Sequence, residues 1–522
     1  MEVLRIFLLL IATFCTTNAY KILVVSPSPG KSHAILGDGL VRHLANAGHD
    51  VYYITADYNA NKTHQNVAIL DVSNNHELFR PIMENFLDFE SLLNKKSGVK
   101  DIFELVKLMV DVGTDTINNP NVMSFLKDKN QQVDLVLIEW MYTEIYSGLQ
   151  AIFDCPFIWF STIEPHWRVM RLIDEIPNPA YTTDPLVSSF PPFTFTQRVY
   201  ELGMQMSGLL LEKIIVQGPE TRQYQENIVP IIEARGKEAP AYDVLRFNAS
   251  LVLGNSHVSL GLPFRLPDSY KGIGGYHIEE DVKPLPKDLQ KLLDEASQGL
   301  IYFSMGSNLK SKTLPTKVKS DLLKMFGQLK QTILWKFEED LPNRPKNVHI
   351  VNWAPQPSIL AHTNCVLFIT HGGLLSTAET IHFGVPVIGI PVFADQFLNI
   401  QRAVKKGFAV QVDLSYNMAN DLKLAIDEVL SNASYSEKVK ELSFIYHDRP
   451  VSPGKELVHW VEHVIRTNGA PHLRSPALMV PWYQKMYLDL AAVLLVILLI
   501  IVRLVKLAIK AIRKPDVKKK EH

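Results

Sequence analysis

The stretch from Phe368 to Gln396 constrains the fold of this chain more than any other. An apolar run at its start predicts a buried parallel strand, and the run breaks at the sequence THGG, residues 370–373. A helical pattern follows, and a second apolar run, Val387–Ile390, predicts the next strand. A glycine turn between a strand and a helix aims free backbone N–H groups at a phosphate. Ordinary packing of a βαβ segment is the plainer alternative.

Polar side chains follow this pattern at the places where open α/β sheets bind ligands. Glu379 lies on the predicted helix, and Asp395 and Gln396 come just after the next strand. Ligands of such sheets lie outside the carboxyl ends of the strands. The stretch therefore predicts a ligand site rather than a connection alone.

The same stretch resembles the signature of the UDP-glycosyltransferase family, which transfers a sugar from a UDP-sugar to small lipophilic acceptors. The sequences HGGLLST and IPVFADQ are most similar to those of insect members, which implies UDP-glucose as donor. The resemblance also implies an α/β fold of two Rossmann-like domains facing a cleft, the GT-B type. The matching positions are His371, Gly373, Glu379, Pro386, Pro391, Asp395 and Gln396.

Length and composition agree with more than one domain. The chain has 522 residues, 47% of them hydrophobic and 20% charged, so it can bury two or three cores. A formal net charge of -1 gives no reason to expect nucleic acid as a partner. We predict a signal peptide (1–19), an N-terminal acceptor domain (20–260), a linker (261–287), a C-terminal UDP-sugar domain with a terminal helix crossing back (288–480), a transmembrane helix (486–508) and a cytosolic basic tail (509–522).

The two ends of the chain predict membrane targeting. Arg5, the apolar stretch Ile6–Phe14 and the small residue Ala19 are typical of a signal peptide cleaved before Tyr20, with an uncleaved anchor as the alternative. Near the other end, Leu490–Val502 is unbroken apolar sequence. Aromatic residues precede it and basic residues follow it, which favours a single span over a buried core helix.

The tail and the sequons indicate a compartment. Lys519 and Lys520 resemble the dilysine retrieval signal of endoplasmic reticulum membrane proteins, which would place the globular domains in the lumen. Three N-glycosylation sequons agree weakly with a lumenal location. They are at Asn61, Asn248 and Asn432. Three cysteines, one of them in the signal peptide, make a disulfide framework unlikely on simple counting.

The catalytic residues are expected in the first domain. His33 lies in the loop after the predicted strand Lys21–Val25, at the position of the family's general base. Glu139 ends the strand Val133–Ile138, where the family has an aspartate that orients the histidine. A carboxylate is what an imidazole needs in that role. Asp134 is the competing carboxylate, although it stands at the start of the strand.

The nucleotide is expected in the second domain. Asn352-Trp353-Ala354-Pro355-Gln356 resembles the family's Trp-x-Pro-Gln element. The resemblance implies that uracil stacks on Trp353, that Gln356 binds the base edge or ribose, and that Glu379 accepts the ribose hydroxyls. Without the resemblance, Trp353 would be interpreted as a core residue.

The diphosphate and the sugar use the remaining polar residues. The helix after Gly373 offers its N-terminus, and His371, Ser307 and Ser376 add donors for the diphosphate. Asp395 and Gln396 are suited to sugar hydroxyls. The sequence has no Asp-x-Asp motif that would hold a divalent metal on the diphosphate, so we expect no metal cofactor.

These features predict an inverting transfer of a hexose, preferably glucose, to a hydroxyl of a small lipophilic acceptor, a detoxification chemistry. A glucuronosyltransferase of the same mechanism is one alternative, and a non-catalytic membrane-anchored binder of UDP-sugars or lipophiles is another. A dehydrogenase is excluded by the missing Gly-x-Gly-x-x-Gly after the first strand. Either a homo- or a hetero-oligomer is compatible with the sequence.

Overall fold

A computed structural model gives the architecture, and it describes residues 19–57, 64–86, 89–93, 99–184, 187, 189–263, 265–307 and 309–513. The chain forms two compact units that divide between Arg474 and Ser475. The predicted signal peptide (all but its last residue), Asn61, Lys519 and Lys520 lie outside the described residues.

Seven parallel strands form the first sheet: β1 (Lys21–Ser26), β2 (Asp50–Thr55), β3 (Val67–Asp71), β4 (Leu135–Trp140), β5 (Phe157–Ser161), β6 (Val252–Gly254) and β7 (Tyr270–Gly272). Their spatial order is β3-β2-β1-β4-β5-β6-β7. β7 lies inside the predicted linker 261–287 and pairs with β6, so the first sheet continues beyond residue 260. A strand of three residues is too short to show a periodic apolar pattern, which is why the glycine- and proline-rich sequence suggested only a linker.

Six parallel strands form the second sheet: β8 (Leu300–Ser304), β9 (Thr332–Lys336), β10 (Val348–Val351), β11 (Cys365–Thr370), β12 (Val387–Gly389) and β13 (Ala409–Gln411). Their order is β10-β9-β8-β11-β12-β13. In both sheets the order in which strands are added reverses at the first strand, which has the second strand on one side and a later strand on the other. The two switch points lie between β1 and β4 and between β8 and β11. Such switch points open a crevice at the carboxyl ends of the strands.

Helices cover the sheets. Those of the first half are α1 (Lys31–Asn46), α2 (Asn75–Phe86), α3 (Phe89–Leu93), α4 (Val99–Asn118), α5 (Pro120–Lys127), α6 (Leu149–Phe153), α7 (Trp167–Met170), α8 (Phe195–Leu211), α9 (Gly218–Gln223), α10 (Val229–Ala234) and α11 (Tyr242–Arg246). Those that follow up to Arg474 are α12 (Lys287–Glu295), α13 (Thr316–Phe326), α14 (Gln356–Leu360), α15 (Leu374–Phe383), α16 (Gln396–Lys405), α17 (Met418–Ser431), α18 (Ser434–His447) and α19 (Pro453–Arg466).

The apolar strands bury both faces of each sheet, as parallel strands covered by helices do. The last helix before Arg474, α19, packs on the first half of the chain. Its residues Leu457, Val461 and Val464 are fully buried in a cluster with Ile22 and Leu40 of the first half. This contact joins the two halves on the side of β1 and α1. The cysteines Cys155 and Cys365 are free, as the sequence predicted.

The second unit contains α20 (Trp482–Lys485) and α21 (Leu488–Ile512). Among the described residues, α21 is the one helix long and apolar enough to cross a bilayer, with a mean hydropathy of 2.9. Its 25 residues extend four residues beyond the predicted end at 508. Nearly all of its apolar side chains are exposed, which fits a single-pass anchor.

Candidate active site

A cavity of about 500 Å³ lies between the two sheets and is lined by both. Residues predicted for the site from the sequence line it from opposite sides, with His33 on one side and the nucleotide residues on the other. Glu139 is the one predicted residue that is not at the cavity wall, and it lies behind His33. The predicted residues at the wall are His33, Ser307, Trp353, Gln356, His371, Gly373, Ser376, Glu379, Asp395 and Gln396.

His33 and Glu139 form a hydrogen-bonded pair at the switch point of the first sheet. His33 lies in the first turn of α1, just after β1, and Glu139 lies on the neighbouring strand β4. The imidazole Nδ1 contacts Glu139 Oε1, and Ser26 Oγ donates to Glu139 Oε2 over 2.9 Å. The glutamate is 1% exposed and the histidine 19% exposed. The carboxylate thus fixes the tautomer and leaves Nε2 for a ligand.

The charges around His33 favour its protonated form. Burial by itself would lower the pKa of His33, but the Glu139 carboxylate outweighs it, with Asp395 and Asp57 adding, so the pKa lies above its ordinary value. Asp134, the competing carboxylate, accepts from the Lys21 backbone N–H over 2.7 Å at the other end of the sheet. Glu139 is therefore the partner of His33.

Two glycines shape the space around His371 at the switch point of the second sheet. Gly306 follows β8 with φ +81°, and a Cβ there would lie 2.4 Å from the His371 ring. A Cβ on Gly373, just before α15, would lie 2.7 Å from His371 Nε2. Burial lowers the pKa of His371 to about 4, so the imidazole is neutral near pH 7. A residue larger than glycine at position 306 or 373 would therefore collide with the neutral His371 ring.

The nucleotide end contains one exposed aromatic side chain and a small polar cluster. Trp353 is 53% exposed and follows the half-buried edge strand β10. Gln356 Nε2 donates to Glu379 Oε2 over 2.7 Å and to Ser376 Oγ over 3.1 Å. Burial raises the pKa of Glu379 to about 7. Ser376 thus lies beside Glu379 and Gln356, whereas the sequence placed it with the diphosphate donors.

Two lysines and a histidine reach this site without having been predicted. Lys31 Nζ lies 4.3 Å from the Trp353 ring centroid, across the cleft, and Lys336 Nζ lies 5.4 Å from it. Lys336 Nζ also donates to the Gly306 carbonyl. His277 Nε2 lies 3.8 Å from Glu379 Oε1, and burial lowers its pKa to about 3. Lys31 had a signal in the sequence, since it begins the helix that carries His33.

The sugar end lies at the start of α16, close to His33. Asp395 Oδ2 accepts from Asn399 Nδ2 over 2.9 Å. Burial raises the pKa of Asp395, and its charge acts on His33 across the cleft. Gln396 Oε1 accepts from the backbone N–H groups of Val392 and Phe393, which leaves its amide nitrogen for a ligand.

The part of the cavity beyond His33 is apolar. It belongs entirely to the first half of the chain and contains sulfur and aromatic side chains, which adapt to varied ligand shapes. The apolar lining residues there are Phe79, Met83, Leu105, Val106, Met109, Trp140, Met141 and Tyr142. No site was predicted within residues 61–129, because the helices there have ordinary amphipathic patterns.

Two parallel sheets that are covered by helices and face each other across such a cavity form the GT-B fold, as predicted. A calicheamicin glycosyltransferase, CalG4, has a TM-score of 0.55 and 15% identity over 86% of this chain and 100% of its own. The glycosyltransferase of kitacinnamycin has a TM-score of 0.55 and 17% identity over 86% of this chain and 98% of its own.

The family described as UDP-glucoronosyl and UDP-glucosyl transferase matches residues 20–521, and the chain belongs to this family. UDP-glucosyltransferase 2 of Dactylopius coccus is 33% identical over 97% of this chain and 96% of its own length. UDP-glucuronosyltransferase 2B15 of Rattus norvegicus is 37% identical over 47% of this chain and 46% of its own. The protein is therefore an enzyme that transfers glycosyl groups from a UDP-sugar, and the resemblance to insect members is confirmed.

Two of the three predicted sequons are described, and both are exposed. Asn432 lies after α17, and its side chain accepts from the Ser434 N–H. The Asn248 amide nitrogen donates to Gln150 Oε1 over 2.7 Å. A glycan on Asn248 would have to replace this hydrogen bond, and one on Asn432 would replace the longer bond of 3.5 Å from its amide nitrogen to Glu428 Oε1. Glycosylation of both stays a prediction.

Proposed function

We propose that this protein transfers a hexose, preferably glucose, from a UDP-sugar to a hydroxyl of a small lipophilic acceptor with inversion at the anomeric carbon. The observation that carries the proposal is the His33–Glu139 pair, which faces the donor residues across one cavity. A non-catalytic binder would have no need of a carboxylate-oriented imidazole at that place.

In this mechanism His33 Nε2 removes the proton of the acceptor hydroxyl as its oxygen attacks the anomeric carbon. The C–O bond to UDP breaks on the opposite face, so one displacement inverts the anomer. The proton stays on the imidazole, and UDP carries away the bonding electrons. Glu139 stabilises the imidazolium without taking the proton.

The second sheet holds the nucleotide. Uracil stacks on the exposed Trp353 ring, a contact worth roughly 1–3 kcal/mol for bases on aromatic side chains. Lys31, which lies over this ring in the structure, moves aside toward the diphosphate. The ribose hydroxyls donate to Glu379 and replace the hydrogen bond that Gln356 donates to it in the structure. Gln356 then turns to the base edge or ribose.

The departing diphosphate gains negative charge in the transition state. Backbone N–H groups at the start of α15, the Ser307 hydroxyl and His371 are fixed donors there, so they stabilise that charge without reorganising. Lys31 and Lys336 supply positive charge, a role that a divalent metal has in other transferases. The sequence lacks an Asp-x-Asp motif that would hold a divalent metal on the diphosphate, and we therefore propose a metal-independent reaction.

Donor choice and acceptor choice rest on different parts of the site. Asp395 and the free amide of Gln396 hydrogen-bond the sugar hydroxyls. Glucose is favoured because one of the relatives matched over nearly the whole chain is named a glucosyltransferase. The apolar wall formed around Met83, Met109 and Trp140 favours a lipophilic acceptor of the kind handled in detoxification.

The cellular location follows from the anchor. Arg503 and Lys506 follow the apolar part of α21, and positive residues mark the cytosolic side of a span. We place the enzyme in the endoplasmic reticulum membrane with its globular unit in the lumen. Protease protection of an epitope-tagged globular unit in intact microsomes tests this orientation.

The test of function is transfer by the full chain in microsomes. UDP-glucose and UDP-glucuronate are offered with a panel of phenols, flavonoids, steroids and pigments, and UDP release is measured. We expect release with UDP-glucose and a β-linked product by NMR, because the sugar of UDP-glucose is α-linked. Exclusive use of UDP-glucuronate would favour the glucuronosyltransferase alternative, and an α-linked product would exclude direct displacement. Binding of UDP-glucose without turnover across the panel would favour the non-catalytic alternative.

A further inference from the structure

The helix α8 is inside out: it buries polar residues and exposes apolar ones. Glu201, Gln205 and Gly208 are buried against the first half, and so is Glu212 just after the helix. A helix at a protein–water surface has the opposite arrangement. The outward face of α8 is therefore not adapted to water.

Most of the exposed apolar residues form one stripe at helical spacing, which we call the α8 stripe; Tyr200, 58% exposed, lies off it. Their exposed fractions run from 49% at Leu202 to 72% at Phe195. Successive members are three or four residues apart, so all of them project from one side of the helix. The α8 stripe consists of Phe195, Val199, Leu202, Met206 and Leu210 on α8, and of Ile214 in the π-helical segment Glu212–Gln217 that continues it.

Buried hydrogen bonds and ion pairs hold the helix in this orientation. Glu201 accepts from the Asp184 N–H over 2.9 Å and from Ser189 Oγ over 2.8 Å. Glu212 accepts from Arg246 Nη2 over 2.7 Å. Breaking such buried bonds leaves polar groups unpaired at a high cost. The helix consequently cannot turn its apolar side inward.

The charges on the outward side are positive. Arg198 and Lys213 are exposed near the two ends of the stripe. The acidic residues between 195 and 214 are Glu201 and Glu212, and both are buried. An apolar face flanked by exposed cations is typical of helices that lie in the headgroup region of a bilayer.

The stripe also ends close to the point where the chain leaves the globular unit. Gln217, one turn beyond Ile214, donates to Asp243 Oδ1 over 2.9 Å. Asp243 is the second residue of α11, and Arg474 donates to the Asn248 side chain just after that helix over 2.8 Å. Residues 475–487 alone separate Arg474 from the span, and a chain of that length reaches at most roughly 45 Å.

We propose that the α8 stripe lies in the interface of the bilayer that holds the C-terminal span, as a second, reversible membrane contact of the globular unit. A second copy of this chain fits the face less well. In an antiparallel two-fold pairing about the middle of the stripe, Arg198 would face Lys213 of the other copy, and like charges would repel. Lipid phosphates instead complement both cations.

The test uses the full chain in proteoliposomes, with a site-specific protease sequence inserted between residues 475 and 487. After cleavage, flotation measures how much of the globular unit stays with the lipid. We expect most of the wild-type unit to stay bound in low and in high salt, because apolar insertion is not screened. The double variant Met206→Glu, Leu210→Glu is expected to be released almost completely.

The control variant is Leu424→Glu, Phe444→Glu, since these residues are as exposed as the stripe but lie on α17 and α18. It should stay bound like the wild type, and both variants should keep UDP-glucose affinity in detergent. Release of the cleaved wild type, release by salt alone, or retention of the stripe variant would each overturn the proposal. A released wild type that is dimeric, with a monomeric stripe variant, would assign the stripe to a second copy.

A second measurement needs no cleavage. A fluorophore on Met206→Cys in the full chain should be quenched by lipids brominated near the headgroup, whereas one on Leu424→Cys should not. Equal quenching at the two positions would contradict a specific contact of the α8 stripe.

Discussion

At the scale of single residues, the pKa of His33 depends on a balance between burial, which lowers it, and Glu139, which raises it. A general base acts in its neutral form, so activity should fall as the pH drops below this raised pKa. Because of this balance, the effect of Glu139 on the pKa of His33 can be measured separately from its effect on the rate.

In Glu139→Gln the pKa of His33 should fall, because the variant loses the negative charge that favours the imidazolium. The acid limb of the pH profile of kcat/KM should therefore move to lower pH. The plateau rate should drop by about 10²–10⁴-fold, the usual contribution of a positioned base. Asp134→Asn is the matched control and should leave both the acid limb of the pH profile and the plateau rate unchanged. An unmoved limb in Glu139→Gln would contradict the pairing.

Glu379 makes donor affinity depend on pH. Its pKa of about 7 means that the carboxylate needed by the ribose hydroxyls is lost as the pH falls through neutrality. Calorimetry should show UDP-glucose binding about tenfold weaker at pH 6 than at pH 8, since that interval shifts most of such a group to its neutral form. UDP-glucose suits this test because its diphosphate diester does not titrate in this range. In Glu379→Gln the dependence should vanish, and its persistence would place the titration elsewhere.

Sequence reasoning found the polar residues of the stretch 368–396 and missed those that come from other parts of the chain. His371 and Asp395 follow apolar runs and Glu379 lies on the helix between them, so their convergence at one sheet edge was predictable. Lys336 and His277 were not, because one ends a strand facing inward and the other lies in a segment that was interpreted as linker. Their positions depend on long-range packing that no local pattern encodes.

At the scale of elements, the glycine turns after β8 and β11 act together. Gly306 and Gly373 both leave room for the His371 ring. The ring therefore lies between the turn after β8 and the start of α15. Strands were predictable here because they are continuous apolar runs. The contact between the two turns was not, since it joins residues far apart in sequence.

Gly306→Ala should push the His371 ring out of place, because the new Cβ would lie 2.4 Å from it. We expect UDP-glucose affinity to fall about tenfold or more, as hydrogen bonds to charged groups contribute roughly 1.5–3 kcal/mol. Gly407→Ala is the matched control: its φ is +84° and its nearest neighbour would lie at 3.6 Å. Both variants bear similar backbone strain, so equal loss of affinity in the two would show that His371 is not involved.

At the scale of the whole molecule, the two halves divide the reaction between them. The second sheet provides the residues for UDP, and the first sheet provides His33 and the apolar wall. The helix α19 joins the halves by burying Leu457, Val461 and Val464 in the first. Family resemblance suggested this arrangement, but composition and periodicity alone could not have related two sheets to one cavity.

If the two halves divide the reaction in this way, turnover by His33→Ala should be lost while the donor still binds. Turnover is measured at saturating UDP-glucose and acceptor, with UDP-glucose affinity checked by calorimetry in the same preparation. We predict that the affinity stays within about threefold of wild type, because His33 belongs to the other half, while turnover falls by about 10²–10⁴-fold. Turnover close to that of the wild type would contradict the assignment of the chemistry to His33.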